Sequence, residues 1–295
     1  MKFVHSPSLI DARHQIPLAL AAEAAGYDAV SVTDTVIYPR ESDTDYPYTS
    51  TGDRSFIDDK DCVETMVQAA QLLAVTRTLR VAPYVLKLPV RPPVLVAKQA
   101  GSLAAVSGNR LDLGVGLSPW PEDFDALDVP WAARGKRMDE CMDIVRGLTD
   151  PDGEEFFSYS GKFYDLAAVK QTPRPTAPLP LIVGGHADAS MRRAARRGDG
   201  WMHGSGTVEQ LDELLPRLAR IRSEEGDTRD DFSIWVAVPD AMTLDGVRRL
   251  EDRGVTHCVV AFVDPYTTTG PDRVPLDDKL KALETYAKQV ISAYR

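Results

Sequence analysis

Between Leu79 and Gly116 the chain spells out a complete strand–helix–strand unit, and that unit decides which folds are open to it. Residues 79–86 (LRVAPYVL) are a short apolar run with β-branched side chains, interrupted by Pro83. Pro92 and Pro93 mark a helix start, where a missing N–H costs little. Val96, Ala100, Leu103 and Val106 follow at steps of four and three, which predicts one buried helical stripe. Gly108 is placed to close that helix, and residues 109–116 (NRLDLGVG) read as the next strand. Two strands joined by a helix of this length run parallel, with a right-handed crossover.

The rest of the chain repeats the unit. Residues 2–5 form a first strand, and the next helix carries Ile16, Leu20 and Ala24 inward and stops at Gly26. Residues 27–33 (YDAVSVT) are apolar at their centre, as a strand buried on both faces is. A helix over 62–75 turns Val63, Met66, Val67, Ala70 and Leu73 inward, and one after residue 130 carries Met138, Cys141, Met142, Val145 and Leu148. Strands are expected at 179–183, 200–203, 232–238 and 257–262, each followed by an amphipathic helix. The helix after the fifth strand is opened by Gly184 and Gly185 and faces Ala187, Met191, Ala194 and Ala195 inward. Eight alternations predict an α/β fold, a single (β/α)8 TIM barrel over residues 1–295. An open doubly wound sheet gives no reason for eight. Polar insertions at 36–60, after strand 2, and at 117–130, after strand 4, interrupt the barrel, as does a β-hairpin (EEFFSYSGKFYDL) before strand 5. Both insertions emerge at the C-terminal ends of strands, where barrels build their active sites.

Composition narrows the partners. A net charge of -10 argues against a nucleic-acid binder and leaves a small-molecule substrate. Cys62, Cys141 and Cys258 share no metal-ligand spacing and read as thiols in a reducing cytoplasm. No apolar leader or membrane-spanning run is present, so a cytoplasmic protein without membrane partners is expected. The histidines form no His-x-His or His-Glu-x-x-His arrangement, so no metal is expected. Gly114-Val115-Gly116 lacks the third glycine of a dinucleotide fingerprint.

The stretch KLPVRPPVLVAKQAGSLAAVSGNRLDLGVGLSPWPEDF, followed by RGKRMDECMDIVRGL, closely resembles the bacterial luciferase-like flavin and deazaflavin monooxygenase superfamily. The likeness is greatest to its F420-dependent oxidoreductases. It extends through GYDAVSVTD upstream and LPLIVGGHADASMRRAARRGDGW downstream, and weakens after Trp201. The resemblance implies coenzyme F420 as hydride carrier, with FMN supplied by a separate reductase as the alternative. It also implies a homodimer. A relative that binds flavin or deazaflavin without catalysis is the third reading.

Site residues follow from the same likeness. Gly184 and Gly185, with His186 behind them, match the family's phosphate-binding turn; without a ligand the same glycines make a tight strand-to-helix turn. Pro83, Tyr84 and Val85 match a bulge behind the flavin-like ring, with a non-proline cis peptide implied between Tyr84 and Val85. Gly116 and Ser118, at the end of strand 4 and in the loop after it, are expected to touch the cofactor. Sugar-phosphate dehydrogenases of the F420 branch carry a His after the acidic residue that ends strand 2, where this chain has Asp34-Thr35. They carry a Glu where it has Gly116-Leu117-Ser118-Pro119. Both acid–base groups are missing, which disfavours alcohol oxidation and favours reduction of an activated C=C or C=O. Asp34, or water, is then the expected proton source, unless Asp34 is a helix cap. His5 and His203, at strand ends, are candidates to touch substrate or cofactor; a lone His is more often structural. Tyr84 and Trp120 are expected in the pocket, Arg192 and Arg193 beside an acidic cofactor tail, and Arg40, Arg54, Tyr46 and Tyr48 around a polar substrate.

Overall fold

The computed structural model describes residues 1–47, 49, 51–263, 266 and 269–295. Tyr48, expected near the substrate, lies outside the described residues. The strands of the principal sheet are β1 (Lys2–His5), β2 (Ala29–Val32), β3 (Arg80–Pro83), β4 (Leu86–Lys87), β5 (Leu113–Gly116), β8 (Leu181–Gly184), β9 (Gly200–Met202), β10 (Ser233–Val236) and β11 (His257–Val260). β6 (Phe157–Ser160) and β7 (Asp165–Val169) form the predicted antiparallel hairpin apart from it. The sheet runs β3-β2-β1-β11-β10-β9-β8-β5-β4, with every pair parallel.

Nine strands make an eight-strand barrel because the third is split. Its lower half, β3, pairs with β2, and its upper half, β4, pairs with β5. Across the seam, Val81 bridges Leu111: its N–H donates to the Arg110 carbonyl at 2.9 Å, and its own carbonyl accepts from Asp112. The change of partner falls at Tyr84 and Val85, and the peptide joining them is cis.

The barrel interior is filled by Val4, Ala29, Ala82, Ile182, Met202 and Trp235. Gly114 is part of that filling. A Cβ there would lie 2.0 Å from the Pro83 carbonyl oxygen and 2.7 Å from the Met202 sulfur, so only a hydrogen fits. The larger apolar core lies between sheet and helices: α1 (Gln15–Ala24), α2 (Thr65–Val75), α3 (Pro93–Ser107), α5 (Arg134–Thr149), α6 (Asp188–Arg197), α7 (Val208–Glu224), α8 (Leu244–Asp252) and α9 (Leu276–Tyr286). A short α4 (Pro121–Ala126) lies inside the second insertion. Among the described residues, no helix is long and apolar enough to cross a membrane.

Three helical faces are rotated from their expected positions. Leu20 is 44% exposed and Ala24 is exposed too, and α1 instead buries Gln15, Leu18, Ala19 and Ala22. α2 starts at Thr65 rather than 62, because the Glu64 carboxylate caps it by accepting from the N–H groups of Met66 and Val67. Val67 is then 53% exposed. Val106 in α3 is 77% exposed, while Val96, Ala97, Ala100, Gly101 and Ala104 face the core. The cause is close packing: a Cβ on Gly101 would sit 3.3 Å from the Thr149 methyl, so α3 turns its small residues inward and its larger ones out. Gly108 does close α3, in the left-handed conformation at φ 73°.

Two glycine substitutions separate packing from backbone strain. Gly114→Ala is expected to lower stability by about 3 kcal/mol, the range for overfilling a packed core. Gly108→Ala, with nothing within 4 Å of the new methyl, should cost about 1 kcal/mol, from its positive φ alone. Denaturant unfolding of both variants checks the difference.

Candidate active site

The C-terminal ends of the strands enclose a cavity of about 540 Å³. Ser6 and Ser8 after β1, Thr33 and Asp34 after β2, Lys87 on β4 and Gly116 to Trp120 after β5 line one part of it. Gly184 to Ala187, Gly204, Ser205, Ala237 and Val259 line the remainder. The first insertion adds Tyr46, Phe56 and Ile57, and Arg134 enters from the first turn of α5.

The split strand shapes the cavity wall. Val85 fills the space that side chains would take at two opposing glycines: a Cβ on Gly116 would be 2.5 Å from one Val85 methyl, and one on Gly184 would be 2.9 Å from the other. Those glycines are thus required by the chain's own bulge. Tyr84 anchors it from the other side, with its hydroxyl donating to the His203 carbonyl and its N–H to the Val32 carbonyl at 2.8 Å. Gly185 is different. Its φ of 121° is open to glycine, and a Cβ would meet the Ser190 hydroxyl at 2.8 Å. The helix that follows starts at Asp188, with Ala187 as its cap, not at the glycines. Ala187 and Ser190 bring the first turn of α6 to the cavity, with the Ser190 N–H donated to the Ala187 carbonyl at 2.9 Å. Arg134 lines the same cavity, stacked 3.6 Å over the Trp131 ring, and its buried Nε has no hydrogen-bond partner among the described residues.

The three candidate histidines part company. His186 lines the cavity, and its Nε2 accepts from the Gly204 N–H at 3.0 Å, which leaves the ring proton on Nδ1. His203 stacks against it at 4.6 Å but is fully buried behind the wall. Burial, reinforced by His186, pulls its pKa down to about 3. His5 stands apart from the cavity. It stacks on Phe262 at 5.5 Å, beside a separate void of about 20 Å³, and burial lowers its pKa to about 4.

Asp34 sits where the sequence put it, at the cavity end of β2, but its carboxylate is fully committed. Oδ1 accepts from the Thr65 hydroxyl and Arg91 Nη2, both at 2.7 Å. Oδ2 accepts from the Lys87 N–H at 2.7 Å and Arg91 Nη1 at 2.8 Å. A carboxylate accepting four hydrogen bonds, two of them from one guanidinium, has no proton to give. It is a clamp rather than the expected proton source. Arg192 and Arg193 are also engaged elsewhere, Arg192 with Glu224 and Glu225 at 2.8 Å and Arg193 with Asp139 at 2.6 Å. Of the residues expected around a polar substrate, Tyr46 lines the cavity and Arg40 is exposed. Arg54 faces Glu122 of the second insertion at 3.7 Å.

Sequence reasoning missed a buried charge cluster. Lys87 donates to Asp123 Oδ2 at 2.6 Å, and the Ser118 hydroxyl donates to the same oxygen. Ser118 in turn accepts from the Trp120 N–H at 3.0 Å, and the Lys87 ammonium lies 4.6 Å from the Trp120 ring centroid. The available signal was a lysine between two buried leucines, Leu86 and Leu88, at the end of a strand. Asp123 was hidden in an insertion that shows no periodicity. Among the described residues, no group of three or more His, Cys, Asp or Glu side chains could hold a metal ion.

Comparison with known proteins places this geometry in context. A sequence model described as luciferase-like monooxygenase matches residues 3–259. The chain is 54% identical over 292 residues to an uncharacterized protein of Mycobacterium tuberculosis, covering 99% of each. It is 29% identical over 161 residues to the F420-dependent glucose-6-phosphate dehydrogenase of Intrasporangium calvum, covering 50% of this chain and 45% of that one. The fold is similar to the crystal structure of monooxygenase RslO1 from Streptomyces bottropensis, with a TM-score of 0.75 at 17% identity over the whole of both chains.

Two measurements test the site as built. Asp34→Asn leaves the Arg91 guanidinium without its bidentate partner, so about 3 kcal/mol of stability should be lost in denaturant unfolding. Acid should also act through the histidines. His5 and His203 are neutral when folded and take up protons near their ordinary pKa of 6.5 when unfolded, so the unfolded state binds more protons as the pH falls. Stability is therefore full above that value and declines toward pH 4, by about 2 kcal/mol per histidine at about pH 5. In His5→Leu, the His5 share of this acid-dependent loss should disappear, while His203 and His257, whose pKa burial also pulls down to about 3, keep theirs.

Proposed function

The chain belongs to the luciferase-like monooxygenase family, and from that premise we propose that it is an F420-dependent oxidoreductase. It moves a hydride between the deazaflavin and a small organic substrate bearing an activated C=C or C=O.

The residues present fit such a cofactor. A flat ring needs a backing wall free of projecting side chains, and Tyr84 and Val85, flush against Gly116 and Gly184, offer one. An anionic tail needs uncompensated positive charge. Arg134, with its unpaired buried Nε, faces the same cavity as Gly185 and the first turn of α6. That buried Nε, with no partner among the described residues, is the observation that carries the reading. When bound, the deazaflavin would supply the hydride chemistry; the chain's residues would hold its ring face toward the open cavity. His186, neutral, lies beside the turn with its Nε2 held by the Gly204 N–H. The F420-dependent name of the 29% identical relative supports the deazaflavin over FMN. Its sugar-phosphate chemistry does not carry over, because Thr35 and Leu117-Ser118 replace the acid–base groups it would need.

The protein acts as a homodimer in this reading. Val67 on α2, with Leu95 and Val106 on the neighbouring α3, are each more than half exposed, apolar side chains interleaved with Lys98 that a second copy would cover.

Equilibrium binding of oxidised F420 and of FMN to purified, cofactor-free protein tests the assignment. F420 should bind the more tightly, and Arg134→Ala should weaken it about tenfold, the scale of one charge-assisted contact. A preference for FMN would replace this reading with a monooxygenase served by a separate reductase. Failure of both to bind would leave the fold without the cofactor.

A further inference from the structure

The buried Lys87 and the rings around it have no part in holding a phosphate or backing a flat ring, and they form a second recognition unit. Lys87 is 5% exposed, its backbone is pinned by Asp34, and its ammonium reaches the cavity beside Trp120. An ammonium has three N–H donors. Asp123 accepts one, and no other protein acceptor lies on Nζ among the described residues. Asp123 is fully buried and meets Lys87 through Oδ2 alone, the oxygen that also accepts from Ser118, while its Oδ1 has no hydrogen-bond partner among the described residues. Two donors of a desolvated cation are left for whatever enters the cavity, and in such a place an anionic oxygen is worth far more than in water.

Around this cation the walls are aromatic. Tyr46 contacts Phe56, Trp120 and Tyr266 with ring centroids 5.1, 5.9 and 5.9 Å apart, and all four line the cavity. Tilted and edge-on rings at these spacings favour a flat, apolar guest. One buried ammonium beside four rings does not suit a sugar phosphate or any other highly charged molecule.

We propose that the cavity takes a flat, apolar, conjugated carbonyl compound, bound between these rings with its oxygen on the Lys87 ammonium, and that Lys87 is the proton donor of the reaction. The binding part stands on the geometry alone; the chemical part rests on the hydride-transfer reading. When bound, the reduced deazaflavin would supply a hydride and its electron pair, either to the β carbon of the conjugated C=C, which gives the enol, or to the carbonyl carbon, which gives the alcohol. The π electrons move onto the carbonyl oxygen, and a Lys87 N–H proton neutralises that oxygen as the enol or alcohol. The amine regains its proton from water that reaches the open cavity. Lys87 thus supplies the acid missing at Thr35 and Leu117.

The test uses the full-length, cofactor-free protein and para-nitrophenol, a flat phenol whose ionisation is visible as yellow absorption. In mildly acidic buffer the wild type should bind the phenolate, so the yellow absorption grows on binding. Lys87→Met leaves Asp123 buried and unpaired and is at risk of not folding, so the deciding variant is Lys87→Met with Asp123→Asn, which removes both charges. It should bind about tenfold more weakly and show no phenolate, a difference of about 1.4 kcal/mol. Asp123→Asn alone keeps the ammonium and should hold the phenolate at least as tightly as the wild type. Phenolate binding by the folded double variant at wild-type strength would overturn the proposal, as would wild-type protein that takes up only neutral phenol or none. No cofactor takes part, so failure here is distinct from failure of F420 to bind.

Discussion

Four hydrogen bonds to one carboxylate hold the active end of this barrel together. Asp34 closes β2 and joins two pieces of chain distant from it in sequence: Thr65 at the start of α2, and the stretch from the Lys87 N–H at the end of β4 to Arg91 ahead of α3. A buried carboxylate is costly unless every lone pair is matched, and here each is matched, twice by a guanidinium in its preferred fork geometry. The clamp fixes the upper half of the split third strand, and with it the direction of Lys87 and the position of Val85. The shape of the cavity wall follows from those two side chains.

The barrel was legible because its signal is redundant. Eight alternations of strand and helix survive an error of two or three residues at any boundary, and the split of the third strand falls at the family's bulge, after Pro83. Helical faces were read less well. Hydrophobicity marks which residues prefer to leave water, but α3 packs so closely that alanine and glycine take the inner face and Val106 is turned out. Close approach between backbones leaves no trace in a hydrophobic period.

Within the site, legibility depended on whether a residue's role comes from backbone or side chain. Gly185, Tyr84 and Val85 act through conformation and shape, and the sequence motif locates them correctly at strand ends. His5 was misjudged because position at a strand end says nothing about side: Val4 points into the barrel, so His5, its neighbour, points out toward Phe262. Asp34 was found but given the wrong task, since its partners Thr65 and Arg91 lie 31 and 57 residues away. The Lys87–Asp123 pair was missed for the same reason, one partner lying 36 residues off in a loop without pattern.

The contact between Arg54 and Glu122 links loops that a barrel normally lets vary one at a time. Arg54 lies over Tyr38 of its own loop and over Trp120 of the other, while Glu122 opens α4 with Asp123 beside it. Lengthening or redesigning either insertion would therefore disturb the aromatic wall and the lysine cluster together. In mechanical terms the two insertions are one part: a change in either is felt across the Arg54–Glu122 contact by the other.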